Sequence, residues 1–219
     1  MKNVIKVNHL VKKIGEQIIL SDVNCEFESG KIYGLMGRNG SGKTVFLKCL
    51  CGFMQATEGE IYLNDKRLKK DMEYMENLGF LIEHPGFMEN VSGFKNLKYI
   101  ASINKIATKE DILDSLKYVD LDPLSKKSVG KYSLGMKQRL GVAQAIMENP
   151  DILILDEPMN GLDESGVKMM RKLLNDLRNK GKLIIIASHY KEDIDMLCDK
   201  VLYCKNCKIQ ELTELEGKE

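Results

Sequence analysis

The chain has 219 residues, enough to bury a substantial core. With 43% hydrophobic and 30% charged residues it has the mixture of an ordinary folded domain, which excludes a disordered or fibrous chain. A formal net charge of +1 excludes bulk electrostatic capture of nucleic acid or of an anionic membrane.

The start, Met1-Lys2-Asn3-Val4-Ile5-Lys6-Val7, alternates apolar with polar residues and has no signal-peptide core. Val4 to Val7, Ile18 to Leu20 and Val23 to Phe27 are expected as half-buried strands of a small antiparallel layer. Purely apolar runs then recur at Ile32 to Met36, Leu78 to Ile82, Ile152 to Leu155 and Leu183 to Ala187. Lacking alternation, they predict strands buried on both faces, as in a parallel sheet. Helical patterns lie between them at Thr44 to Leu50, Gly135 to Met147 and Gly166 to Leu177. Strand followed by helix, repeated, predicts an α/β fold with a mostly parallel sheet. From about Pro85 the alternation stops. Helices are expected over Gly93 to Ser102 and Lys109 to Val119, so residues of about 85–145 are read as a helical lobe inserted into a single domain of residues 1–219. The longest aliphatic run, Leu183 to Ala187, is far short of the roughly 20 residues a membrane span needs, and the chain is expected in the cytosol.

Gly37-Arg38-Asn39-Gly40-Ser41-Gly42-Lys43-Thr44 fits the phosphate-loop pattern G-x-x-x-x-G-K-[ST] and stands between an expected strand and an expected helix. Backbone N–H groups of such a loop turn inward around phosphates, and the helix N-terminus adds its positive dipole end. Lys43 is expected to reach the β- and γ-phosphates, with the Thr44 hydroxyl on Mg²⁺. The run Ile152 to Leu155 ends in Asp156-Glu157, stopped by Pro158. Neighbouring side chains on a strand point different ways, so one carboxylate can serve Mg²⁺ and the other an attacking water. Ser188-His189 follows another buried strand, and Glu83 follows Ile82. All of these fall at carboxyl ends of strands, where open α/β sheets bind ligands.

Tyr132-Ser133-Leu134-Gly135-Met136-Lys137-Gln138-Arg139 selects among nucleotide enzymes. Alone it reads as a helix start capped by Ser133. Ahead of Asp156-Glu157 it resembles the signature motif of ABC ATPases, and the whole chain is similar to that family in order. The phosphate loop comes first, then Glu83 at the Q-loop position and the signature at Ser133. The acidic pair, a D-loop-like Asn160-Gly161-Leu162-Asp163 and the switch histidine His189 follow. The resemblance implies that two such domains sandwich two ATP molecules, Ser133 and Gly135 of one touching the γ-phosphate held by Lys43 of the other. It also implies Glu157 as general base and His189 orienting water and γ-phosphate, while Asp156, Thr44 and Glu83 serve the Mg²⁺.

The resemblance further implies that the second subunit is a copy of this chain or a homologous ATPase. It implies as well an integral-membrane permease as partner, and nucleic acid is not an expected partner. The chain would lie peripherally on the cytoplasmic face. Glu83 stands where the family has glutamine, Leu134 where it has glycine, and Met136 where it has glutamine. Ile14 occupies the adenine-stacking place usually held by an aromatic, which implies weaker discrimination for adenine. Gly79-Phe80-Leu81-Ile82-Glu83-His84-Pro85, with Tyr-Ser-Leu-Gly-Met, resembles the bacitracin and lantibiotic self-protection subgroup, implying removal of a peptide antibiotic.

ABC proteins acting on DNA or ribosomes typically carry a long coiled-coil insertion or two ATPase halves, and neither is present. A GTPase reading fails because neither Asn104-Lys105 nor Asn179-Lys180 is followed by the aspartate that guanine recognition asks for. The six cysteines read as reduced thiols, with Cys204-Lys205-Asn206-Cys207 expected on a hairpin turning at Lys205-Asn206. The Phe87, Met88 and Phe94 cluster reads either as core or as a docking surface for the permease.

Overall fold

Uninterrupted aliphatic runs become the central strands, because only a sheet covered on both faces can bury them. The computed structural model describes residues 3–83 and 86–211. Its first half runs β1 (Val4–Ile14), β2 (Gln17–Glu28), β3 (Ile32–Met36), α1 (Lys43–Cys51), β4 (Glu58–Leu63), β5 (Lys66–Arg67) and β6 (Leu78–Leu81). Helices α2 (Gly93–Asn104), α3 (Lys109–Tyr118) and α4 (Leu134–Ile146) follow, with a 3₁₀ turn at Val129–Lys131. The rest is β7 (Ile152–Asp156), α5 (Glu164–Asn179), β8 (Leu183–Ser188), α6 (Lys191–Leu197), β9 (Lys200–Lys205) and β10 (Lys208–Glu211).

The larger sheet has the order β10-β9-β3-β8-β7-β6, parallel from β9 to β6 and closed at one edge by antiparallel β10. The smaller, antiparallel sheet has the order β2-β1-β4-β5. Alternate residues of the central strands feed two cores. Ile152, Ile154 and Ile185 join Leu20, Phe46 and Leu50 on the face under the small sheet and α1. Leu153, Leu155, Ile184 and Ile186 join Leu97, Leu116 and Leu140 on the helical face.

Three expectations need correction, and one strand was not anticipated. Ile18 to Leu20 and Val23 to Phe27 are one strand, β2, with a register shift where Asp22 takes a positive φ of 50°. The run Leu78 to Ile82 is an edge strand rather than a doubly buried one, and Phe80 is 38% exposed. Strand β4 went unpredicted because its first half, Glu58-Gly59-Glu60, is polar and only Ile61 and Leu63 are buried. The β9–β10 hairpin turns at Asn206-Cys207, one residue later than expected. Both residues have positive φ (51° and 62°), the type I′ geometry that matches strand twist.

Between β6 and β7 lie α2 to α4 and the 3₁₀ turn, with no strand of either sheet among the described residues. The expected start of that helical stretch, Pro85, and His84 before it lie outside the described residues, as do Met1 and Lys2. Each helix is started by a hydroxyl: Ser92 caps α2, Thr108 caps α3 and Ser133 caps α4. Phe87 and Phe94 pack against the helical-face core, while Met88 is 45% exposed. The six cysteines are free thiols. No helix among the described residues is long and apolar enough to cross a membrane.

Candidate nucleotide site

The phosphate loop joins β3 to α1 and is confined by its neighbours. A Cβ on Gly37 would lie 2.6 Å from both the Cys204 carbonyl oxygen and Ser41 Oγ, so β9 admits only glycine there. Gly42, the residue before α1, has φ 103°, which L side chains rarely adopt. Lys43 is 5% exposed, and its Nζ donates to the carbonyls of Gly37 (2.7 Å) and Arg38 (3.2 Å), so the ammonium sits within the curve of the loop. Ser41 Oγ is buried without a hydrogen-bond partner among the described residues. A buried cation beside an unsatisfied hydroxyl is a setting that suits an anion.

Thr44 follows on the same helix, and its Oγ1 donates to Asp156 Oδ2 at 2.6 Å. Asp156 ends β7 and is 8% exposed. Burial pushes its carboxyl above the usual carboxylate range. The Thr44 hydrogen bond and Lys43 pull it back, while Glu157 and Glu83 add to the rise. An adjacent hydroxyl and carboxylate are hard oxygen donors of the kind Mg²⁺ takes. Among the described residues no group of three or more His, Cys, Asp or Glu is arranged to hold a metal ion by itself.

The next residue, Glu157, leaves the strand with φ 50°, a left-handed conformation costing about 1–3 kcal/mol in a non-glycine residue. Its N–H donates to the Ala187 carbonyl (2.9 Å), and its own carbonyl accepts from Gln138 Nε2 (2.9 Å) and Asn160 N–H (3.0 Å). Thus aimed, its Oε1 lies 2.9 Å from His189 Nδ1 and 4.0 Å from Lys43 Nζ. The His189 ring rests against Tyr190, centroids 3.9 Å apart. The structure therefore brings Lys43, Thr44, Asp156, Glu157 and His189 together at the carboxyl ends of β3, β7 and β8.

Ser133 and Gly135 lie elsewhere. Ser133 Oγ accepts from Met136 N–H (3.2 Å) at the start of α4. A Cβ on Gly135 would meet the Gly161 carbonyl at 2.7 Å. Arg139 reaches Asp120 (3.0 Å) and Asp163 (3.3 Å), the latter being the N-cap of α5. With Gln138, these contacts fasten the signature helix to the segment following Asp156 in the same chain. Ile14 is 51% exposed at the end of β1, and Ile18 across the hairpin is 44% exposed. The backbone of the next residue, Ile19, runs 3.2 Å from where a Gly42 Cβ would stand.

Glu83 is paired with Lys48, Nζ to Oε1 2.7 Å, rather than with Thr44 or Asp156. Sequence reasoning missed Lys48, Gln138 and Ile18. Only Lys48 had a local signal, standing four residues after Thr44 on one helix face.

A buried lysine wrapped by a glycine loop, beside a paired hydroxyl and carboxylate at strand ends, defines a phosphate-loop nucleotide hydrolase. The model of the ABC transporter family matches residues 20–160, and the chain belongs to that family as an ATP-binding ATPase subunit. It is 45% identical over 206 residues to YybJ of Bacillus subtilis (strain 168), an uncharacterized ABC transporter ATP-binding protein, covering 94% of each chain. It is 41% identical over 203 residues to the bacitracin transport ATP-binding protein BcrA of Bacillus licheniformis, covering 92% of this chain and 66% of that one. A solved ATP-binding subunit of an ABC transporter superposes with a TM-score of 0.86 at 24% identity, covering 96% of this chain and 90% of the other.

Proposed function

We propose that this chain, as one ATPase domain with a helical lobe of about residues 85–145, powers removal of a peptide antibiotic through a separate membrane permease, from the cytoplasmic face. The observation that carries the motor reading is the meeting of Lys43, Glu157 and His189 within 4.0 Å of the Glu157 carboxylate. Lys43, with loop residues Gly37 to Gly42, holds the β- and γ-phosphates. Arg38, Asn39, Gly40 and Ser41 supply the turn and its inward N–H groups. Glu157 takes a proton from the attacking water, and His189 fixes the direction of that carboxylate. Thr44 and Asp156 would hold Mg²⁺, with the Glu83 carboxylate turned to Lys48; when bound, Mg²⁺ neutralises charge on the phosphates and favours phosphoryl transfer. Ile14, with Ile18, offers the base an apolar surface, and Ser133 and Gly135 meet the ATP of a second copy.

The permease reading is supported by an apolar groove of about 600 Å³ between edge strand β6 and the ends of α2 and α4. Tyr74, Phe80, Ile103 and Ile106 line it, each at least 38% exposed. Exposed apolar side chains gathered in one groove suit a partner segment laid across them. The antibiotic reading is supported by the bacitracin relative, whose additional third of length is not matched here. Purification from the native membrane, followed by ATPase assay of the complex with and without a bacitracin-type peptide, tests both. Co-purification of an integral protein and stimulation by the peptide are expected. A complex whose turnover ignores such peptides overturns the substrate, and absence of any integral protein overturns the transport role.

A further inference from the structure

Glu83 adds a carboxylate where negative charge already accumulates. Leu81 of β6 pairs with Leu155 of β7, and Glu83 and Glu157 each stand two residues further on. Both therefore follow the carboxyl ends of neighbouring strands, and both turn out of the strand direction with positive φ. The phosphates of ATP add like charge to the same place, and like charges this close repel.

Among the described residues, the cation paired with Glu83 is Lys48. Lys48 Nζ lies 2.7 Å from its Oε1, and Lys48 stands one helical turn beyond Thr44 on the same face of α1. A single short helix thus presents Lys43 to the phosphate loop, Thr44 to Asp156 and Lys48 to Glu83. The Glu83 backbone, at φ 59°, is itself in the left-handed region. The side chains are 26% and 61% exposed, so the pair contributes little to stability. Its consequence is where it places the charge.

We propose that Lys48 is a positioning residue that holds the Glu83 carboxylate away from the Thr44–Asp156 pair and so sets how tightly the nucleotide site takes its divalent ion. The proposal rests on the reading of Thr44 and Asp156 as the Mg²⁺ partners. Released from Lys48, Glu83 can swing toward those oxygens and become a further hard ligand.

Mn²⁺ titrated into the full chain with a saturating non-hydrolysable ATP analogue, followed by electron paramagnetic resonance, reads this without turnover. Lys48→Gln is expected to bind Mn²⁺ about 3- to 5-fold more tightly, the scale of an exposed ion pair, while Lys48→Arg keeps the wild-type affinity. In a Glu83→Gln background, Lys48→Gln is expected to change nothing. The same tightening in both backgrounds would show only the general field of one lysine, and no tightening in either would show no positioning; each overturns the proposal. Thr44→Val reports separately on the underlying reading. If Mn²⁺ affinity is unchanged in Thr44→Val, the Mg²⁺ assignment falls, whatever Lys48 does.

Discussion

The strand ends and the start of α4 both face phosphate in the proposed function, yet they are built differently. At the strand ends the reacting side chains are tied to other groups of the same chain: Thr44 to Asp156, Glu157 to His189, Lys43 to the loop carbonyls. Ser133 at the start of α4 caps only its own helix, and Leu134 beside it is 54% exposed. Just behind that tip, Gln138, Arg139 and the Gly135–Gly161 contact bind the helix firmly to the segment after β7. The first region is a site completed inside one chain. The second is a rigid base carrying an open tip, the form expected of half a site whose other half is a second molecule. Damage to the first should therefore be felt by an isolated chain, and damage to the second only by a pair.

Glu157→Gln breaks the first region most. It keeps size and hydrogen bonding but loses the base, so turnover should fall about 10²- to 10⁴-fold with little loss of ATP affinity. Phosphate release under saturating ATP measures this, and turnover near the wild-type rate would remove Glu157 from the mechanism. Lys43→Ala comes next. Losing charge-assisted hydrogen bonds to phosphate costs about 1.5–3 kcal/mol, or about 10- to 150-fold in Kd. Calorimetry with ATP reads it directly, and an unchanged Kd sinks the phosphate-loop assignment.

Ser133→Arg sharpens the contrast because it should leave single-chain ATP affinity alone. With ATP and Mg²⁺, Glu157→Gln is expected to elute from gel filtration as a dimer, and wild type with ADP as a monomer. Adding Ser133→Arg to Glu157→Gln should restore the monomer through bulk at the open tip. A Glu157→Gln chain that stays monomeric at high concentration, even with its permease present, rules out the sandwich.

The sequence made these two regions unequally legible. Ile152 to Leu155 and Leu183 to Ala187 announced doubly buried strands through aliphatic content alone, so their carboxyl ends, and with them Asp156, Glu157 and His189, could be placed beside the phosphate loop. Strand β4 was hidden by a polar first half, and β2 looked like two strands because Asp22 breaks its register. Contacts that depend on side-chain direction were also out of reach. Lys48 and Glu83 stand 35 residues apart, and Gln138 and Glu157 stand 19 apart. Local pattern reports which face a residue occupies, not which distant partner waits there. The left-handed turn of Glu157 belongs to the same category, since it is imposed by hydrogen bonds to Ala187 and Gln138.

The smallest effect concerns how the open tip is braced. Arg139 of α4 reaches Asp120, just past the end of α3, so part of what steadies α4 depends on α3 being formed. A ten-residue helix is too short to persist alone and leans on packing and caps. Thr108 Oγ1 accepts from Asp111 N–H (3.2 Å), while Asp111 Oδ2 accepts from Thr108 N–H (2.8 Å) and from Thr108 Oγ1 (2.7 Å). Thr108→Ala should cost about 1 kcal/mol. The loss should stay local: amides of α3 exchange faster, while those of β7 and β8 keep their protection and ATP affinity holds. Acid gives the sign. The Thr108 hydroxyl first, and its N–H second, hold the Asp111 carboxyl below its ordinary range. A carboxyl lowered in the native state contributes stability fully above its unfolded pKa and loses it as pH falls through the native value. Alanine removes the hydroxyl's share, so the gap between wild type and Thr108→Ala should be widest near neutrality and narrow in acid. Denaturant unfolding at several pH values, with hydrogen exchange at neutral pH, checks both halves. A gap that persists undiminished in acid would show that the Thr108 hydroxyl does not stabilise the Asp111 carboxylate, and strands that loosen together with α3 would show that the helical stretch and the sheet rise and fall as one unit.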